Sequence, residues 1–167
     1  MRTNYPRHLH DFDYTGIYRY FLTFCLENRR AVFVGSDAVA LVWSQFLRAA
    51  TDKSFAIIVC VFMPDHSHLV VEGLADSSKL KQFISRAKQL SGYHYKQRSR
   101  MALWQRYGYE RVLRKDESTP AVVAYVLENR VRAGLVRSVH EYPHIRSSVY
   151  GREELIEYAY GARSEFG

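Results

Sequence analysis

The feature that most constrains the fold is a pair of apolar, strand-length runs separated by a breaker. Phe55 to Phe62 reads FAIIVCVF, Met63-Pro64-Asp65 interrupts it, and His66 to Glu72 resumes with β-branched character. Two such runs around a proline-containing turn predict adjacent antiparallel strands. Helical stripes flank them on both sides. Upstream, Ser36 stands as an N-cap before Val39, Val42, Trp43, Phe46 and Leu47; downstream, Leu80, Phe83, Ile84 and Ala87 recur at helical spacing from Ser77. A first strand is expected at Tyr18–Leu26, and a later one over Tyr107–Leu113 with an irregular start at Gly108. Ser118 and Pro120 then supply a cap and a first-turn proline, and Gly134 a left-handed stop, for a helix from Pro120 to Ala133. The order β-α-β-β-α-β-α predicts an α+β, ferredoxin-like split βαβ sandwich: an antiparallel sheet with helices packed on one face.

A chain of 167 residues suits one domain of roughly 100–200 residues. The expected division is a core at about 14–151 with a C-terminal appendage at 152–167. No apolar run reaches the roughly 18 residues that would span a bilayer, and the polar start shows no secretory signal, so a cytoplasmic protein is expected. Cys25 and Cys60 lie inside apolar strand runs and are read as small buried hydrophobes. The net charge of +7 and the pI near 9.5 favour a polyanionic partner, because clustered Lys and Arg release counterions from phosphate backbones. Charge alone does not distinguish nucleic-acid binding from ordinary basicity.

Two patterns carry chemistry. In His66-Ser67-His68 the histidines stand at i and i+2 on a strand, so both imidazoles project from the same face with Cα atoms ~7 Å apart. On the Pro120–Ala133 helix, Val122, Val123, Val126 and Leu127 form an apolar stripe, while Tyr125, Asn129 and Arg132 line the adjacent polar one. Two imidazoles can share a divalent cation, and a phenol, an amide and a guanidinium can serve as nucleophile, third ligand and phosphate clamp. Residue chemistry alone favours the plainer readings, a pair of exposed or core-edge histidines and a half-buried packing tyrosine.

Read in order, VFMPDHSHLVVEG (Val61–Gly73), ALWQRYGYERVLRKDES (Ala102–Ser118), AYVLENRVRAGLV (Ala124–Val136) and YPHIRSSVYG (Tyr142–Gly151) resemble the HUH single-tyrosine transposases, most closely the REP-associated tyrosine transposases. The resemblance runs from the first strand to about Gly151. It implies that His66 and His68 hold Mg²⁺ or Mn²⁺ against the scissile phosphate, that Asn129 completes the metal site, and that Tyr125 is the nucleophile. The expected product is a 5′-phosphotyrosine with a free 3′-OH. The chain departs from the pattern at Ser67, where relatives carry a bulky apolar residue, at Arg130, where they carry proline, and at Glu110-Arg111, where they often have an acid followed by His.

The substrate implied is single-stranded or hairpin DNA, which an enzyme of this size reaches without melting a duplex and whose unpaired bases can stack on a tyrosine-rich surface. Arg2, Arg7, Lys81, Arg86, Lys88 and Arg132 are the expected DNA contacts, and a monomer is favoured over a homodimer. The alternatives are a domesticated, non-catalytic single-stranded nucleic-acid-binding protein and a metal-dependent hydrolase that uses water.

Overall fold

A computed structural model describes residues 12–164. Strand β1 (Arg19–Cys25) leads through two short 3₁₀ turns into α1 (Ser36–Lys53). Then come β2 (Phe55–Met63), β3 (His66–Gly73), α2 (Leu80–Ser99), β4 (Tyr109–Val112), α3 (Thr119–Arg132), β5 (Ile145–Arg146) and α4 (Arg152–Ser164). The strands form one sheet in the order β4-β1-β3-β2-β5, and every pairing is antiparallel. This is the split βαβ order expected, extended at one edge by β5. The two-residue β5 gave no periodicity by which to find it.

Strand alternation divides the interior into two cores. Tyr20, Leu22 and Phe24 of β1 and Leu69 and Val71 of β3 face α1 and α2, where they meet Phe46, Phe83 and Ala87. Val70 of β3 and Val59 and Val61 of β2 face the other way, against Val123, Val126 and Leu127 of α3. The expected one-face arrangement describes α1 and α2; α3 and α4 pack on the opposite face. The unbroken apolar run of β2 follows from this double coverage, because a strand buried on both faces has no polar side to show. A bulge between Ile57 and Val59 lets β2 feed both cores. Each wholly buried aliphatic side chain of α3 contributes ~1.5–3 kcal/mol of burial.

The local signals act mostly as the residues predict. Ser118 Oγ accepts from Ala121 N at 3.3 Å, Pro120 lies in the first turn of α3, and Gly134 follows the helix at φ 73°. Gly35, not Ser36, occupies the N-cap of α1, and no side chain caps it. Gly108 has a spatial reason: a Cβ there would stand 2.6 Å from the Thr23 carbonyl oxygen, so only glycine brings the chain alongside β1 before β4 begins. Residues 152–164 supply Leu155, Ile156 and Ala159 to the second core.

Both ends of α3 are fastened to the sheet. At the N-terminal end, the Arg19 guanidinium of β1 donates to the Arg114 carbonyl at 3.1 Å, to the Glu117 carbonyl at 3.2 Å and to the Thr119 hydroxyl. At the C-terminal end Arg130 is fully buried. It donates to the Leu127 carbonyl at 2.7 Å and stacks 4.5 Å from the Tyr142 ring, whose hydroxyl donates to the Phe62 carbonyl at 2.5 Å. Arg130 Nε and Nη1 have no hydrogen-bond partner among the described residues, and burial pulls the guanidinium pKa down to about 10.

Candidate active site

β3 is the central strand of the sheet, and His66 and His68 share its α3-facing side with Val70. The two imidazoles meet edge to face with their Nε2 atoms 3.1 Å apart. Each remaining nitrogen is engaged. His66 Nδ1 lies 2.6 Å from Asp65 Oδ1, and His68 Nδ1 lies 2.9 Å from Thr23 Oγ1. Asp65 is held in turn by Arg29, whose Nε donates to Oδ2 at 2.8 Å. These contacts hold the Asp65 carboxyl below its usual range despite partial burial. Asn28 and Arg29 both adopt positive φ, 55° and 52°, in the turn after β1, and this left-handed pair delivers Arg29 to Asp65.

Burial lowers the His68 pKa to about 3, helped by His66, Arg132 and Arg29. His68 is therefore neutral at physiological pH, the state a metal ligand requires. The opposed Nε2 atoms, with the outer nitrogens tied to a carboxylate and a hydroxyl, fit a divalent cation that takes imidazole nitrogen. Among the described residues no group of three or more His, Cys, Asp and Glu side chains gathers around a common point.

α3 brings the remaining residues to this face. Tyr125 is 56% exposed, open to a macromolecular substrate, with the Arg132 guanidinium 4.3 Å over its ring. Arg132 also donates to the Tyr125 carbonyl at 2.9 Å and to Asn129 Oδ1, so the amide oxygen is engaged by arginine. The helical stripe of Tyr125, Asn129 and Arg132 is thus a contacting cluster, and Arg132 lies near enough to bias His68. Phe21 of β1 links the two groups: its ring stacks on His68 at 5.5 Å and lines a cavity that Tyr125 also lines.

The other expected DNA contacts lie elsewhere. Lys81, Arg86 and Lys88 are on α2, in the layer across the sheet from the histidines. Arg86 pairs with Asp52 at 3.3 Å, Lys81 lies 5.8 Å from the Tyr14 ring, and Lys88 packs over Phe24 and donates to the Gln105 carbonyl at 3.2 Å. Arg2 and Arg7 fall outside the described residues. In the sequence Asp65 reads only as a turn residue beside His66, and Arg29, Thr23 and Phe21 are not singled out. For Arg29 the local signal is Asn28, a residue that tolerates left-handed backbone.

The antiparallel sheet in the order β4-β1-β3-β2-β5, with helices on both faces, is the fold of a solved transposase and places this chain in that class. The chain belongs to the IS200-like transposase family, whose pattern covers residues 16–129. A protein of Haemophilus influenzae described as a REP-associated tyrosine transposase is 23% identical over 154 residues, spanning 85% of this chain and 84% of the relative. The structure of a REP-associated tyrosine transposase bound to a REP hairpin superposes with a TM-score of 0.70 at 19% identity, covering 83% of this chain and 82% of the other. A Deinococcus radiodurans protein described as a transposase gives 0.50 at 20% identity over 74% and 97%. No described helix is long and apolar enough to cross a membrane.

Proposed function

We propose that this protein cleaves and rejoins single-stranded or hairpin DNA through a covalent link to Tyr125. The observation that carries the proposal is the opposed, outward-anchored pair of His66 and His68 on the same side of the sheet as the exposed Tyr125–Arg132 cluster. Membership of a transposase family supports the same reading. The hairpin bound by the structural relative makes a hairpin the first substrate to try.

His66 and His68 would hold Mg²⁺ or Mn²⁺, with Asn129 as third ligand. When bound, the ion neutralises phosphate charge and polarises the leaving oxygen. The chain supplies the rest. Asp65 and Thr23 fix the ring orientations of the two histidines. Arg132 meets the incoming phosphate and, in doing so, releases the Asn129 amide from its present hydrogen bond. The Tyr125 phenolic oxygen attacks phosphorus in line: an Oη–P bond forms, the P–O3′ bond breaks, the phenol loses its proton and the departing O3′ takes one up. The 5′-phosphotyrosine stores the bond until a 3′-OH reverses the step.

Phenylalanine keeps the ring and its contact with Arg132, so Tyr125→Phe isolates the hydroxyl. Wild-type protein mixed with labelled hairpin DNA from beside its own gene, in Mg²⁺ or Mn²⁺, is expected to give a denaturation-resistant adduct on the 5′ end of one product. Tyr125→Phe is expected to give none while binding DNA as before. Adduct from the variant would move the nucleophile to another tyrosine. Cleavage by wild type without adduct would replace strand transfer by hydrolysis.

A further inference from the structure

Beside Tyr125 lies a cavity of about 450 Å³ whose walls include Phe21, Tyr109, Arg111, Glu117 and Ala121. The strand registers explain it. Phe21 stands opposite Arg111, and Thr23 opposite both Tyr109 and His68. Phe21, Tyr109, Arg111 and His68 therefore project from one side of the sheet, at the β4 edge and alongside α3. Tyr109 meets Phe21 edge to face at 5.9 Å, and neither ring is fully buried. Arg111 closes the end of the slot with a bidentate pair to Glu117, both bonds at 2.8 Å. Flat aromatic walls would suit any ring. A fixed guanidinium–carboxylate edge at the end adds donors and acceptors in one plane.

We infer that this cavity is a nucleobase slot: it takes one unpaired base of the nucleotide adjoining the phosphate that Tyr125 attacks, stacks it on Tyr109 with the Phe21 ring, turned 72° from Tyr109, as a side wall, and reads its edge with Arg111 and Glu117. The inference rests on the strand-transfer reading only for which base is held. Three features favour a base of DNA over another occupant. The slot opens beside an exposed tyrosine and Arg132 rather than into the core. Phe21 also stacks on His68, so the base and the candidate metal site share a wall. The chain as a whole is strongly basic, with a net charge of +7, which draws a polyanion to any open cleft. The slot also positions the substrate: holding one base beside Tyr125 fixes which phosphate the phenol reaches.

The test uses the hairpin and its single-stranded 5′ flank from beside the gene, with abasic sites placed one at a time along the flank. Binding is followed by fluorescence anisotropy without divalent metal, so no chemistry intervenes. Wild type is expected to lose about tenfold to a hundredfold in Kd at a single position, the range typical of one stacked base. Tyr109→Ala is expected to bind intact and abasic DNA alike, whereas Tyr109→Phe, which keeps the ring, retains the penalty. At that position Glu117→Gln is expected to relax discrimination among the four bases with the penalty for an abasic site preserved. A flat scan with wild type, or the same penalty in Tyr109→Ala, overturns the slot. Adduct formation separates the two claims: a localised penalty without adduct leaves the slot standing and removes strand transfer, and adduct with a flat scan does the reverse.

Discussion

Replacing Asp65 by alanine tests whether the histidine pair is built to hold a cation. The carboxylate stands 2.6 Å from His66 Nδ1 and is itself fixed by Arg29 at 2.8 Å. Its removal frees the His66 ring to rotate and to exchange tautomers, so that Nε2 no longer presents a lone pair at all times. Loss of such an outer partner typically weakens metal affinity ~10–100-fold. Asp65 keeps 30% of its side chain exposed, so water replaces part of the hydrogen bond, and the lower half of that range is expected, about 10–30-fold in Kd. Asp65→Asn retains an oxygen acceptor without the charge and is expected to lose less than alanine. Mn²⁺ titration followed by electron paramagnetic resonance reads the affinity, and the urea midpoint checks the fold. The Leu26 N–H bonds the Asp65 backbone carbonyl, which substitution leaves in place. A folded Asp65→Ala protein that binds Mn²⁺ within about threefold of wild type would refute the reasoning, since an outer carboxylate acting through the ring cannot be that silent.

Three further outcomes follow from other parts of the structure. Ser67 is fully buried with no hydrogen-bond partner for its hydroxyl among the described residues, facing the α1 and α2 side between Phe24 and Phe62. Ser67→Ala is expected to raise stability in urea unfolding by about 1 kcal/mol by removing an unsatisfied polar group, and a loss would contradict that. Arg130 carries a charge whose burial lowers its pKa to about 10, a cost of about 3 kcal/mol set against roughly 1–2 kcal/mol from the Tyr142 ring and one hydrogen bond; Arg130→Met is therefore expected to stabilise by about 1 kcal/mol, and a loss above about 2 kcal/mol would show the charge to be better solvated than its surroundings allow. His68 is depressed to about 3 from a usual value near 6.5, so the unfolded chain binds more protons between these values. Metal-free protein should lose stability as pH falls through that window, by at most ~1.4 kcal/mol per pH unit from this group, and His68→Gln should flatten the slope.

The sequence made visible whatever depends on short-range periodicity. Alternation along β3 placed His66 and His68 on one side, helical spacing brought Tyr125, Asn129 and Arg132 into contact, and Ser118, Pro120 and Gly134 bounded the helix that carries them. Features made by distant segments were not visible. Arg29 reaches Asp65 across 36 residues and Thr23 reaches His68 across 45, and nothing local in either residue announces its partner. The covering of the second face could be sensed only in the unbroken apolar run of β2, which a buried helix or a one-sided strand with a bulge mimics equally well. The basic segment at α2 was plain, but which side of the sheet it would occupy depended on tertiary packing.

The fastening of α3 at both ends has a mechanical consequence. Arg19 grips the loop and first turn, and Arg130 with Tyr142 pins the last turn to β2. A helix tied in this way at both ends is expected to move as a beam clamped at both supports, with little travel at its midpoint, where Tyr125 projects. A strand joined to Tyr125 would therefore be held at a stationary post. Under the proposed strand transfer, exchange of one DNA end for another would require the nucleic acid to swing past the tyrosine, and the length and stiffness of the DNA between hairpin and break would set which ends meet.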